Sequence, residues 1–188
     1  MTPLLLTAVL WIAFVAYWLL ASRRTKRTVA LGQPPLVRAI ALLFMALGPA
    51  LYYLPLSALP FLGWRLFPPR PALAAAGLVL MLVGLSFAVW ARRTLGGNWS
   101  GAVTLKEGHV LVTTGPYGVV RHPIYLGVFA AMLGTALVVG EVRAFLPLLG
   151  IFGVWRKIAA EEALLRAAFP RQYDEYERRV KRLVPGLF

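Results

Sequence analysis

Long apolar stretches alternate with short polar and basic segments along most of the chain. Four of them contain no charged side chain: Leu4 to Ala21, Ala39 to Leu56, Pro71 to Ala91, and Pro123 to Gly140. An uncharged apolar stretch of about 18 residues or more is typical of a helix that crosses a membrane. The pattern therefore predicts at least four membrane-spanning helices.

A fifth apolar stretch, Ala144 to Trp155, is too short to cross a bilayer by itself. The charge pattern nevertheless favours a fifth crossing. The basic residues that follow successive spans number five, two, four, one and eight, which alternate between high and low counts. Basic residues concentrate on the cytoplasmic side of membrane proteins. The alternation predicts an N-terminus outside, a C-terminus in the cytoplasm and a fifth span extended toward Ala160.

Composition narrows the class of protein further. The chain has 188 residues, is 60% hydrophobic and has a formal net charge of +13. Membrane orientation and anionic lipid headgroups account for this charge, so we expect membrane lipids and no nucleic acid as partners. The absence of cysteine excludes disulfides and thiolate catalysis. Only two histidines are present and no carboxylate lies at ligand spacing from them, so no metal site is expected.

These patterns predict an all-α fold, a polytopic transmembrane bundle of about five spans with a cofactor pocket on the cytoplasmic side. Residues 1–91 form an N-terminal region of three spans. Residues 92–188 form a second region with a cytoplasmic segment, two further spans and C-terminal amphipathic helices. Within the cytoplasmic segment we expect a β-like run at Val110 to Thr114. Small residues that allow close helix packing recur in the third and fourth spans: Gly77, Gly84, Gly127, Ala131 and Gly134.

The stretch from Arg121 to Tyr125 is the first candidate for chemistry. Pro123 suits the first position of a helix, which places His122 near its N-cap. Free amides and the positive end of the helix dipole make such a terminus suitable for an anion. The structural alternative is that Arg121 marks the membrane surface and His122 only caps the helix.

Glu161 and Glu162 form the second candidate, since they are two of only seven acidic residues and directly follow a span. Glu161 lies four residues after Lys157, so a surface ion pair is one interpretation. The other is that Glu161 receives a cationic or hydroxyl-rich ligand while Glu162 orients a neighbour. Tyr173 and Tyr176 form an apolar stripe that lies on the membrane surface or covers the site. The nearby acids, Glu177 among them, are expected to be solvated.

The two stretches "LVTTGPYGVVRHPIYLG" and "AEEALLRAAFPRQYDEYERRV" together resemble the isoprenylcysteine carboxyl methyltransferase family, which is related to the membrane phospholipid methyltransferases. The resemblance covers roughly residues 92 to 185. It implies a prokaryotic integral-membrane enzyme that binds S-adenosyl-L-methionine (SAM) at its cytoplasmic face. It also implies cofactor contacts at Thr104, His109, Val110, Leu111, Val112, Tyr117, His122, Pro123, Ile124, Tyr125, Glu161 and Glu162.

The same resemblance associates a basic residue one turn before the glutamate with the methyl acceptor. In this chain that residue is Lys157, with Arg156 adjacent, and Arg121 completes the candidate catalytic set. In the eukaryotic members of the family that this chain resembles, the corresponding residue is an arginine. A lysine cannot bind a carboxylate through two parallel hydrogen bonds, as an arginine can. Pro170 also stands where a glycine is common. The acceptor is therefore expected to be lipophilic and to enter from the bilayer, but an isoprenylcysteine-like carboxylate and a lipid headgroup both remain open.

Two alternatives belong to other classes of protein. One is a membrane reductase of the steroid-reductase type, which would use NADPH. The other is a non-catalytic scaffold that binds membrane lipids, in which every motif residue is structural. We expect the bacterial cytoplasmic membrane as the location, with the active site facing the cytoplasm. No oligomeric state is predicted.

Overall fold

The computed structural model describes residues 2–23, 25–31, 52–53, 60–101 and 103–186. The part described contains five α-helices: α1 (Pro3–Ser22), α2 (Pro71–Leu95), α3 (Pro123–Val139), α4 (Ile151–Ala168) and α5 (Pro170–Arg179). Four of these begin with proline, whose fixed φ suits a first helical turn and whose missing N–H is not needed there. Most of the predicted second span, Ala39 to Leu56, lies outside the described residues.

Among the described residues, two helices are long and apolar enough to cross a membrane, namely α1 and the segment Pro71–Asn98 that contains α2. Only 17% of the apolar window in α1 and 28% of that in the second segment are buried inside the protein. The core helix of a water-soluble protein would be mostly buried. The exposed apolar side chains, such as Ile12 and Val83, instead form the surface that a membrane protein presents to lipid.

The central pair of helices, α2 and α3, packs backbone to backbone through glycines. Gly84 lies opposite Gly127, and Gly77 lies opposite Gly134, so the two helices run antiparallel. A Cβ atom built on Gly84 would lie 2.5 Å from the carbonyl oxygen of Gly127, which leaves no room for any side chain. The predicted packing role of these small residues is therefore confirmed.

Helix α1 is joined to this pair by polar contacts. Near its middle, the buried indole Nε1 of Trp11 donates a hydrogen bond to the Thr135 hydroxyl of α3, at 3.1 Å. At its end, the Arg92 guanidinium of α2 donates to the Ala21 carbonyl, at 2.7 Å. The C-terminal ends of α1 and α2 consequently lie together, beside the start of α3. This end is called below the His122 end of the bundle.

After α3 the chain returns toward the His122 end. Residues Val142–Gly150 form a 3₁₀-helix and α4 follows without a break, so the predicted fifth span is only partly α-helical. Pro147 explains the difference, because it lacks the N–H that an α-helix would use and crowds the preceding turn. At about 2.0 and 1.5 Å per residue, residues 142–160 extend roughly 33 Å, about the thickness of a bilayer's hydrocarbon core.

A small antiparallel sheet lies outside the bundle. Strand β1 (Thr28–Leu31) pairs with strand β2 (Thr104–Lys106). The described residues are otherwise mostly helical, in agreement with the predicted all-α fold class. The expected β-like run at Val110 to Thr114 forms no strand, because β2 takes the available partner strand and the chain turns at Gly108, whose φ is 58°.

The close approach of α2 and α3 predicts that Gly127→Ala destabilises the protein. The new Cβ would meet the Gly84 carbonyl oxygen and the Ala88 amide nitrogen, and neither backbone atom can move without separating the helices. We expect a loss of about 1–3 kcal/mol in the free energy of unfolding, measured by denaturant unfolding in detergent micelles.

Gly153→Ala is the matched control for this substitution, because nothing lies within 4 Å of a Cβ built there on α4. It should leave stability unchanged or raise it slightly, since alanine favours the helix. Equal stabilities of the two variants would contradict the packing argument.

Candidate functional site

The start of α3 and the second half of α4 meet at the His122 end of the bundle. The Tyr125 hydroxyl donates a hydrogen bond to Glu161 Oε1, at 2.9 Å. His122 Nδ1 lies 3.6 Å from Glu161 Oε2, and Lys157 Nζ lies 4.0 Å from Glu161 Oε1. The Glu161 side chain keeps 23% of its surface exposed. One partly open carboxylate is thus surrounded by a phenol, an imidazole and an ammonium group.

The neighbouring carboxylate of Glu162 is closed off from solvent, since the residue is only 2% exposed. Its Oε1 accepts a hydrogen bond from Arg121 Nε at 3.0 Å and lies 3.2 Å from His122 Nε2. Arg182 donates to both of its oxygens, at 3.1 and 2.5 Å. The interpretation that Glu162 orients its neighbours therefore agrees with the geometry.

Arg121 is buried and holds the C-terminal part of the chain as well as Glu162. Its Nη1 donates to the Val180 carbonyl at 2.8 Å and to the Glu177 carbonyl at 3.2 Å, and its Nη2 donates to Glu177 Oε1 at 3.1 Å. Arg166 also donates to Glu177. The expectation that Glu177 belongs to a solvated face is wrong, because this side chain bridges two arginines.

The C-terminal segment crosses directly over the start of α3. The backbone amide of Arg121 donates to the Lys181 carbonyl at 2.8 Å, and that of His122 donates to the Arg182 carbonyl at 3.0 Å. The apolar stripe of Tyr173, Tyr176 and Val180, which precedes this segment in the sequence, is buried. The side chains that pack against it are Leu111, Leu165 and Phe169. The stripe is therefore packed inside the fold, and the prediction that it lies on the membrane surface is wrong.

The segment between α2 and α3 also contacts α4. Lys157 Nζ donates to the Gly101 carbonyl at 2.9 Å, so β2 and its Thr104 lie beside α4. The Thr104 hydroxyl oxygen is buried and has no hydrogen-bond partner among the described residues. Farther along the same segment, the Tyr117 carbonyl accepts a hydrogen bond from the Tyr176 hydroxyl, at 2.7 Å.

His109 lies at the edge of this arrangement. Its ring faces Phe169 at a centroid distance of 6.0 Å, and its Nδ1 accepts a hydrogen bond from the Lys106 amide at 3.4 Å. Burial lowers the pKa of His109, and the positive charges of Lys26 and Lys106 lower it further. The ring is therefore neutral at neutral pH and can accept a hydrogen bond but carries no charge.

The remaining predicted residues divide by exposure. Pro123 and Tyr117 are buried, and Leu111, Val112 and Ile124 are half-buried. Val110 is 61% exposed, and Arg156 also lies exposed on α4. The structure therefore brings His122, Tyr125, Lys157 and Glu161 into direct contact and leaves Val110 and Arg156 at the surface.

Sequence reasoning missed Arg182 and Trp155. Arg182 contributes two hydrogen bonds to Glu162, and its guanidinium carbon lies 5.1 Å from the centre of the Trp155 ring of α4. Nothing in the spacing distinguishes Arg182 from the other basic residues near the C-terminus. Its role depends on the fold of the last segment over α3.

The electrostatic balance at Glu162 follows from these contacts. Burial raises the pKa of this carboxyl group, but the hydrogen bonds from His122 and Arg182 and the charge of Arg121 outweigh it and lower the pKa to about 2. Glu162 is consequently ionised at neutral pH. The negative charge in turn keeps two arginines and the histidine in place.

The fold and this site define a class of protein, a helical membrane bundle with a compact polar site at one end. A solved structure of a eukaryotic intramembrane Ras methyltransferase, isoprenylcysteine carboxyl methyltransferase, has the same fold. It superimposes with a TM-score of 0.57 at 24% sequence identity, over 79% of this chain and 53% of that one. The phospholipid methyltransferase family model matches residues 72–172, more than half of the chain. The chain belongs to the phospholipid methyltransferase family.

Individual relatives agree with this assignment. The chain is 34% identical over 110 residues to the protein-S-isoprenylcysteine O-methyltransferase of Saccharomyces cerevisiae, a match that covers 55% of this chain and 45% of the relative. It is 37% identical over 81 residues to the enzyme of the same name from Schizosaccharomyces pombe, covering 41% of this chain and 34% of that protein. The matches therefore span less than half the length of these relatives.

The buried ion cluster predicts a large loss of stability for Glu162→Gln. The neutral amide leaves the Arg121 guanidinium buried without its counter-charge, so we expect a loss of about 3 kcal/mol in the free energy of unfolding at pH 7. The carboxylate stabilises the fold fully above the ordinary pKa of 4.5, and this contribution is lost as the pH falls toward 2. The difference between parent and variant should therefore shrink over that range.

Denaturant unfolding of both proteins between pH 7 and pH 3 measures this effect. Glu175→Gln is the matched control, because Glu175 is exposed on α5 and its loss should change stability by less than about 0.5 kcal/mol. A stability difference between parent and Glu162→Gln that does not depend on pH would argue against an ionised Glu162 in the fold.

Proposed function

We propose that the chain is an integral-membrane methyltransferase that uses SAM and methylates a lipophilic acceptor. Membership of the phospholipid methyltransferase family supports methyl transfer, and the names of the relatives point to an isoprenylcysteine-like acceptor. The single observation in the structure that carries the proposal is the difference between two adjacent carboxylates. Glu162 is closed off by two arginines and a histidine, whereas Glu161 is 23% exposed beside Tyr125 and His122.

The residues around Glu161 fit the chemistry of this cofactor. SAM carries an amino group, a ribose, a carboxylate and a sulfonium, and when bound it supplies an electrophilic methyl group. Glu161 offers a carboxylate to the amino group or the ribose hydroxyls. The first amides of α3 suit the cofactor's carboxylate. The rings of Tyr117 and Tyr125 suit a cation. The Thr104 hydroxyl, which has no hydrogen-bond partner within the described part of the chain, offers one further polar contact.

Lys157 is the residue that we assign to the acceptor. Its ammonium group is held between the Gly101 carbonyl and Glu161, and it lies 5.7 Å from the centre of the Tyr125 ring. This places a positive charge next to the proposed cofactor site, where it can attract a carboxylate or a phosphate. Transfer of a methyl group is a direct displacement that depends on alignment of donor and acceptor.

We place the protein in the bacterial cytoplasmic membrane, with five crossings and the His122 end facing the cytoplasm. Arg92 and Arg121 lie at the His122 end, while Arg65 and Arg143 lie near Glu141 at the opposite end. The larger number of basic residues near the His122 end supports this orientation. The acceptor would then enter sideways from the inner leaflet.

The proposal predicts saturable binding of SAM that weakens in Glu161→Ala and in His122→Ala. Loss of one of these hydrogen-bonding side chains should raise the Kd at least tenfold. Isothermal titration of detergent-purified protein measures both variants, with Glu175→Ala on the exposed face of α5 as the control. Unchanged affinity in both variants would show that the cofactor binds elsewhere.

The same titration with NADPH tests the reductase alternative. A methyltransferase should bind SAM and not NADPH, a reductase should do the reverse, and a scaffold should bind neither. The acceptor is then sought by transfer of labelled methyl from SAM to a membrane lipid extract and to a panel of prenylated thiols. Labelling of the prenylated thiols would identify the isoprenylcysteine-like acceptor, and labelling of the extract alone would identify a lipid.

A further inference from the structure

Arg182 lies outside the part of the chain that matches the family model, which ends at residue 172. It follows α5 and is attached to α4 at two places. Its guanidinium donates two hydrogen bonds to the Glu162 carboxylate, and it stacks over the ring of Trp155 at 5.1 Å. A two-point contact between a planar guanidinium and a carboxylate fixes both distance and orientation.

The main chain around Arg182 also contacts the residues just before α3. Val120 and Lys181 form a parallel bridge, and the amides of Arg121 and His122 donate to the carbonyls of Lys181 and Arg182. The N-cap His122 makes no side-chain hydrogen bond to the first turn of α3. Its backbone position is therefore set by the C-terminal segment and not by a cap of its own.

The His122 ring connects this attachment to the open carboxylate. Its Nε2 lies 3.2 Å from Glu162 Oε1, and its Nδ1 lies 3.6 Å from Glu161 Oε2. A change in the position of Glu162 must therefore move or rotate the ring that contacts Glu161. The ring of His122 also lies next to that of Tyr125, at a centroid distance of 5.9 Å.

We infer that Arg182 is a positioning residue for the cofactor site, which acts through Glu162 to hold the His122 ring against Glu161. Residues 180–183, called here the C-terminal latch, thus complete a site whose own contacts come from α3 and α4. This inference rests on the proposed function, because it concerns the affinity for SAM. Its effect on the backbone of His122 does not depend on that function.

Three variants test the inference: Arg182→Gln, Arg182→Lys and, as the matched control, Arg178→Gln on the exposed face of α5. We expect Arg182→Gln to raise the Kd for SAM at least tenfold. Arg182→Lys should recover part of the affinity, because an ammonium group can make one of the two hydrogen bonds. Arg178→Gln should stay within twofold of the parent. Titration calorimetry with SAM in lipid nanodiscs measures all four proteins.

Hydrogen exchange of the peptide that contains residues 120–123 is the second measurement. Arg182→Gln should speed exchange of this peptide at least tenfold, while Arg178→Gln should leave it unchanged, whether or not cofactor is present. Arg182→Gln with parental affinity and parental exchange would overturn the inference. If Arg182→Gln does not fold, Arg182→Lys serves as the test. An affinity of Arg182→Lys for SAM equal to that of the parent would then overturn the inference.

A parent protein that does not bind SAM would contradict the proposed function. In that case exchange of the same peptide still decides whether Arg182 holds the start of α3. If the parent protein binds SAM, and Arg182→Gln and Arg178→Gln lose the same amount of affinity, the loss is a general effect of charge. That result would also overturn the inference.

Discussion

The arrangement of the site depends on one buried carboxylate. Glu162 of α4 joins Arg121 and His122, which precede α3, to Arg182 of the C-terminal latch. A buried charge is tolerated only when its partners are close and well directed, and here two arginines and a histidine supply those contacts. The same interaction that keeps the charge inside the fold also brings together three segments that are distant in sequence.

This ionic centre requires a rigid base, which the α2–α3 pair provides. Glycines at matched positions let the two backbones touch, so the start of α3 has a definite place relative to α2. Without a hydrophobic driving force between helices in lipid, such close backbone contact is a main source of packing energy. The glycines and the charges therefore have complementary roles, since the first hold the bundle and the second attach the covering segments to it.

Two adjacent glutamates acquire different roles because of helical geometry. Neighbouring residues on an α-helix point about 100° apart. Glu162 consequently faces the latch and is enclosed, whereas Glu161 faces Tyr125 and remains partly open. Burial and pairing therefore distinguish the enclosed carboxylate of Glu162 from the partly open carboxylate of Glu161.

The family resemblance, and not the spacing of residues, indicated that the His122 stretch meets the Glu161 stretch. The sequence by itself determined the apolar helices and the small residues that allow α2 and α3 to pack closely. These features depend on local composition and spacing, which the chain carries in every conformation. The sequence could not indicate that a 3₁₀-helix precedes α4 where a uniform α-helical span was expected. It also could not indicate that the strand forms at Thr104 and not at Val110, or what Glu177 and Arg182 contact. Only the tertiary structure decided these, because the partner of a strand or of a charge is selected by contacts between segments far apart in the chain.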